Sequence, residues 1–298
     1  MKDSPNIPGS ENAPQSSRGR SRRRFLQGAG AAGIAFAVDA CGVEPPRVEV
    51  TRHDIARPAA AAALDGMRIA QVSDTHLTGN RRAAARAVEI LARERPDVVV
   101  LTGDICEDAD GLAALTALAA SVRGSSATVG IYGNWERKSK IPEAELARAY
   151  ERAGAELLVS RSMIVERESA RLRIVGLDDA RYVGPDLDRA LAGPAGDAEI
   201  WLVHCPQYAD LIPDGVTPPL ALLAGHTHGG QVRLPGWTPY TPPGSGRFVE
   251  GWYRDAKAPM YVSRGIGTAV IEARFCCRPE LPVFTLRATR AAAFPHSR

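Results

Sequence analysis

Five short segments, each following an apolar run, hold most of what this chain could use for chemistry. They are Asp74-Thr75-His76, Gly103-Asp104, Gly133-Asn134, His204 and Gly225-His226-Thr227-His228-Gly229-Gly230. Ligands of open α/β sheets gather beyond the carboxyl ends of strands, so a fold that lays the apolar runs side by side collects these segments at one place. Four of the six histidines stand in them; the other two, His53 and His296, lie near the ends of the chain. Asp74 and His76 are two apart, as are His226 and His228, and that spacing aims both members of a pair to one side of an extended segment. Glycines at 103, 133 and 225 let the backbone turn tightly beside each candidate ligand.

The runs themselves define the class. Strands are predicted over 67–72, 98–101, 128–132, 200–203, 220–224, 260–262 and 283–286, with two or three antiparallel strands inside 157–176. Helices are predicted over 81–93, 112–122 and 143–153, the last with Pro142 at its first turn. Strand–helix alternation followed by mostly strand implies an α/β protein, a mixed two-sheet sandwich with helices outside. The globular domain is expected over 65–290, after a tether at 42–64 in which Val48-Glu49-Val50 is an edge-strand candidate; 291–298 is a tail. With 45% apolar and 24% charged residues, disordered, collagenous and coiled-coil readings are excluded.

Residues 1–41 carry six Lys or Arg against three acidic residues, which accounts for the whole formal charge of +3. The rest is neutral, which argues against a nucleic-acid partner held by phosphate electrostatics. Residues 1–27 lack apolar periodicity and end in Ser21-Arg22-Arg23-Arg24-Phe25-Leu26-Gln27, before a weakly apolar Ala/Gly stretch too short to span a bilayer. This leader resembles a twin-arginine signal. The resemblance implies the twin-arginine translocase as a transient partner, passage of a folded protein, and a place in the periplasm or cell envelope. Two exits are open: acylation of Cys41, which would anchor the chain to a membrane, or cleavage after Ala40. The five cysteines make no disulfide framework, since Cys276 and Cys277 are adjacent and Cys106 and Cys205 lie far apart; Cys205 reads as core.

Two carboxylates, four imidazoles and one amide offer mixed N/O ligation without thiolate, a set suited to Mn, Fe or Zn. Seven ligands are too many for one such ion. Two divalent ions about 3.5–4 Å apart, sharing a carboxylate, use them all and suit in-line attack at phosphorus. In this order, the five segments resemble the calcineurin-like metallophosphoesterase family over residues 65–287. Gly229-Gly230-Gln231, the loop from Leu234-Pro235 to Pro242-Pro243, and Arg264-Gly265-Ile266-Gly267 are similar to its twin-arginine-exported, cell-envelope phosphodiesterase branch. The resemblance implies a four-layer α/β/β/α sandwich of two mixed β-sheets flanked by helices. It implies one metal on Asp74, His76 and His228, a second on Asn134, His204 and His226, and Asp104 between them. A hydroxide bound between the ions would attack a phosphodiester or diphosphate of a phosphorylated small molecule or lipid-linked envelope substrate.

One position departs from the family. Where it has His after Gly-Asn, to protonate the leaving group, this chain has Trp135 and then Glu136. Indole has no acid chemistry near neutral pH. Either the leaving group departs without a proton, as a phosphate cut from a diphosphate would, or Glu136 or a metal-bound water donates one, or turnover is slow or absent. The branch that hydrolyses UDP-2,3-diacylglucosamine also lacks His here, which leaves a pyrophosphatase of that type as an alternative, beside a metal-binding envelope protein without turnover. Asn134 and Arg264 are candidate substrate contacts, Arg264 through a bidentate grip on phosphate. Residues 237–253 hold five of the seventeen aromatics and read either as a packed loop or as a substrate wall facing lipid or a membrane surface.

Overall fold

Val98 and Val100 point to one side of their strand, Val99 and Leu101 to the other, and all four are buried. A strand apolar on both faces must lie inside a layered structure. The computed structural model describes residues 38–77 and 81–288; the Arg22-Arg23 motif, His296 and the 291–298 tail lie outside the described residues. Two six-stranded sheets face each other. The first contains β1 (Glu49–Arg57), β2 (Arg68–Val72), β3 (Val98–Leu101), β4 (Ala127–Gly130), β5 (Glu156–Leu157) and β12 (Glu280–Ala288), in the order β1-β12-β2-β3-β4-β5. The second contains β6 (Arg161–Arg167), β7 (Ala170–Gly176), β8 (Ala198–Val203), β9 (Ala221–Ala224), β10 (Gly251–Tyr253) and β11 (Met260–Val262), in the order β10-β11-β9-β8-β7-β6. Both are mixed. β12 meets β2 antiparallel in the first; β6 and β10 are the antiparallel edges of the second.

Strand alternation sorts the core into three layers. Val98 and Val100 pack with Ile174, Ile200 and Leu202 between the sheets. Val99 and Leu101 pack outward against α1 (Arg82–Glu94), α2 (Leu112–Ser121) and α4 (Glu143–Arg152), through Ala87, Leu91, Leu115 and Leu146. Trp201 and Val203 face Tyr208, Phe248 and Ala190 of α5 (Leu187–Leu191) on the far side. The result is the four-layer α/β/β/α sandwich. Each fully buried Val or Leu contributes roughly 1.5–3 kcal/mol.

The tether is a correction. Residues 49–57 form β1, paired in parallel register with β12 over nine positions. His53 belongs to this strand, its Nε2 3.0 Å from the Tyr261 hydroxyl and its ring tilted against Phe284. Further upstream, Ala40 is buried and its carbonyl accepts the Arg274 N–H at 2.8 Å, while the Glu44 carboxylate accepts the backbone N–H groups of Cys276 and Cys277. The folded body therefore takes in residues 40–64 as well as those from 65 onward. The edge-strand candidate Val48-Glu49-Val50 marks only its start, because Ile55 alone of the nine residues of β1 is buried and apolar alternation is faint.

Candidate metal centre

Parallel register aligns the strand ends. Val72 pairs with Leu101 and Leu101 with Gly130, so the residues that follow β2, β3 and β4 leave one edge together. Val203 pairs with Ala224 and does the same for β8 and β9 in the other sheet. Asp74, His76, Asp104, Asn134, His204, His226 and His228 thereby converge, all buried. Atoms of Asp74, His76 and His228 lie within 4.8 Å of one another, and so do those of Asp104, His204 and His226. Asp104 Oδ2 stands 3.2 Å from His204 Nε2 and 3.8 Å from His76 Nε2, between the two groups. Asn134, first residue of α3 (Asn134–Lys138), puts Oδ1 3.1 Å from His204 Nε2.

The turns that present these side chains are strained. Asp74, His76, Asp104, His226 and His228 all have left-handed φ, between 43° and 76°, five of the twelve such non-glycine residues among the described residues. Each such conformation costs about 1–3 kcal/mol and persists only where the surroundings impose it. Gly103, at φ 86°, shows the crowding: a Cβ there would lie 2.6 Å from Gly133 Cα and 2.7 Å from His204 Nδ1.

The imidazoles are oriented from outside. His204 Nδ1 donates to the Thr102 carbonyl at 2.8 Å, and His226 Nε2 to the Pro243 carbonyl at 2.9 Å. His76 Nδ1 donates to Glu107 Oε1 at 3.1 Å. The second nitrogen of each of these three rings is left as a lone pair aimed inward. Such pairing of a ligating imidazole with an outer acceptor fixes its tautomer. His204 Nε2 then stands 3.3 Å from His226 Nδ1, and His76 Nε2 3.1 Å from His228 Nε2. Ring nitrogens at that separation need a proton or a metal cation between them. A divalent cation supplies one at each pair, and the N/O donor set suits a transition ion.

Without a cation each pair shares a proton unequally. Burial pulls His204 down, but Asp104 lifts it to about 10, while burial and the charge on His204 push His226 down to about 3. His76 rises against its burial through Glu107 and Asp104, and His228 falls through burial and His76.

Two predicted contacts are corrected. Glu136 faces away from the centre: its carboxylate accepts the N–H groups of Asp104, Ile105, Cys106 and Gly133 at 2.7–3.2 Å, which leaves it no route to a leaving group. Arg264 is engaged by acids, with Glu49 at 2.7 Å, Glu280 at 3.5 Å and Glu250 at 3.6 Å, and it does not line the pocket. Cys205 is core, as expected, its Sγ 3.1 Å from Asp179 Oδ2. Cys41 is exposed within a five-residue helical turn at Asp39–Val43.

The centre floors a pocket of about 650 Å³ walled by Trp135, Tyr182, Tyr240, Val270 and Ile271, with Lys138 and Arg181 on its lining. The aromatic loop divides: Phe248 is buried and packs edge-on with Tyr253, whereas Trp237 and Tyr240 are 60% and 66% exposed. Sequence reasoning passed over Lys138, Arg181, Val270 and Arg274. Arg274 is fully buried and donates to the carbonyls of His228, Arg264, Gly265, Gly267 and Cys277, which knits the His228 turn to its neighbours. A buried arginine gives no sequence signal, but Gln231 gave a faint one. It closes the Gly229-Gly230-Gln231 motif, and its amide clamps Ala269 and Ile271 on either side of Val270.

A metal-ligating pair of clusters at the joined strand ends of two sheets is the arrangement of a metallophosphoesterase. The family described as the calcineurin-like phosphoesterase superfamily domain matches residues 67–257, and the chain belongs to it. The chain is similar to the uncharacterized metallophosphoesterase YkuE of Bacillus subtilis (strain 168), 32% identical over 285 residues, covering 90% of this chain and 98% of that protein. It is also similar to the phosphodiesterase YaeI of Escherichia coli (strain K12), 27% identical over 280 residues, covering 89% and 99%. A solved archaeal phosphodiesterase aligns with a TM-score of 0.38 at 14% identity, over 68% of this chain and 88% of that one.

Proposed function

We propose that this hydrolase is a dinuclear metal-dependent phosphodiesterase. Asp74, His76 and His228 would hold one divalent ion, Asn134, His204 and His226 the other, and Asp104 would touch both. The observation that carries the reading is the convergence of two buried His/Asp clusters in which imidazole nitrogens meet at 3.1 and 3.3 Å, contacts that a divalent ion at each pair would satisfy in place of a shared proton. Two adjacent ions supply Lewis acidity and a water acidified enough to attack phosphorus at neutral pH. The protein's own residues then fix the geometry. Thr102, Pro243 and Glu107 set the rings, and the Trp135 N–H donates to Asp104 Oδ1 at 2.8 Å, which restrains that carboxylate. Hydrolysis of a chromogenic phosphodiester with added Mn²⁺, two metals per chain by elemental analysis, and loss of both in Asp104→Ala are expected. Two bound metals without hydrolysis of any phosphodiester or nucleoside diphosphate sugar would instead favour a binding protein.

The substrate is a lipid-linked phosphodiester or diphosphate of the cell envelope. Support comes from the pocket wall, where Tyr240, Val270 and Ile271 expose 66%, 92% and 54% of their surface beside the centre. Exposed apolar groups grouped at a site mark a contact for an apolar partner. Tyr240→Ser with Val270→Ser should lower kcat/KM on a lipid phosphodiester far more than on a small soluble ester; equal loss on both refutes this role. Export rests on the Arg22-Arg23 leader alone.

A further inference from the structure

Trp135 stands where the family resemblance implies an imidazole, and Glu136 is turned away. The charge needed at the leaving oxygen has to come from elsewhere on the pocket wall. Two cations line that wall, Lys138 and Arg181, and neither makes an ion pair with any described residue. Lys138 is the better placed by its own helix. It lies three residues after Trp135 in α3, which puts the two side chains on one face. Its Nζ stands 4.3 Å over the Trp135 ring. That ring in turn packs edge-on against His76, with centroids 5.7 Å apart and planes at 88°. The helix is pinned on its other side, where the Arg137 Nε donates to Asp178 Oδ1 at 2.8 Å and its guanidinium covers the Tyr132 ring at 3.6 Å. Indole is the strongest of the aromatic faces for a cation, so replacing His by Trp exchanges an acid for a perch.

We propose that Lys138, held over Trp135, stabilises the negative charge on the leaving oxygen, with Trp135 as its positioning residue. The inference rests on the phosphodiesterase reading above. As the nucleophilic oxygen forms its bond to phosphorus, the bond from phosphorus to the leaving oxygen breaks and that oxygen keeps the electron pair. The ammonium stays protonated and offsets the charge; solvent water delivers the proton after departure. Such a device matters little for an acidic leaving group and greatly for a poor one.

The experiment measures kcat/KM with Mn²⁺ for methyl aryl phosphodiesters of graded leaving-group acidity, in wild type, Lys138→Gln, Lys138→Arg and Trp135→Phe. In Lys138→Gln we expect a fall of about 10²-fold for the poorest leaving group and little change for p-nitrophenol, hence a steeper dependence on leaving-group acidity. Lys138→Arg should restore most of the loss, and Trp135→Phe, a weaker cation face, should fall between. An unchanged slope in Lys138→Gln, whether rates drop uniformly or not at all, overturns the proposal while leaving the phosphodiesterase reading intact. Failure of the wild type to hydrolyse any of these esters overturns both.

Discussion

The backbone N–H of Asp104 donates to Oε2 of Glu136 at 3.0 Å, so one buried carboxylate holds the turn on which the other is presented. The N–H groups of Ile105, Cys106 and Gly133 converge on the same side chain. Glu136 thus ties the end of β3 to the start of α3, the two places that supply Asp104 and Asn134.

Glu136→Ala strands four buried N–H groups, each costing about 1–3 kcal/mol when unmet, and should lower stability by at least about 3 kcal/mol. Denaturant midpoints and metal content will show it. In Glu136→Gln, enzyme resaturated with metal should keep the wild-type alkaline limb of its pH–rate profile; a lost limb would restore Glu136 as the acid.

Glu107 should matter to the centre through His76. Glu107→Gln keeps an acceptor 3.1 Å from Nδ1 but removes its charge, and the affinity for one metal should drop by about 10–100-fold. Competition with a chelator, read by metal retained per chain, checks this. A loss of both metals together would show that the two sites do not separate in this way.

Protons and metal compete for the same nitrogens. Free imidazoles titrate near 6.5. His226 sits at about 3, depressed by burial and His204, so its contribution to the stability of the metal-free protein is present above 6.5 and is lost as pH falls toward 3. His204 reaches about 10 through Asp104 despite burial, so its contribution is present below 6.5 and is lost as pH rises through 10. Metal must displace the His204 proton. Titration of metal at pH 7 in two buffers of different ionisation enthalpy should reveal net proton release, and affinity should tighten with rising pH. Observed heats that do not change with the ionisation enthalpy of the buffer would contradict it.

The leader makes a separate prediction. Arg22→Lys with Arg23→Lys should retain the full-length protein in the cytoplasm with its fold and metal intact, as fractionation and immunoblotting will show. Undiminished export of that variant would assign the leader to the general secretion route.

How much of this was legible depended on distance along the chain. The seven candidate ligands announce themselves because each follows an apolar run, and parallel pairing delivers strand ends to a common edge. Trp135 was legible as a departure, but its partner Lys138 looked like any solvent-facing cation. Arg264 misled because its acids, Glu49 and Glu280, are 215 and 16 residues away, and nothing local marks them as partners. β1 was read as tether for the same reason: it owes its place to β12, at the other end of the described chain.

That pairing has a consequence for synthesis. β12 inserts between β1 and β2, so the first sheet stays split until its last strand has left the ribosome. A premature stop before residue 280 would spare every candidate ligand and still deny them a platform. Such a nonsense product would carry all its donors and aim none of them.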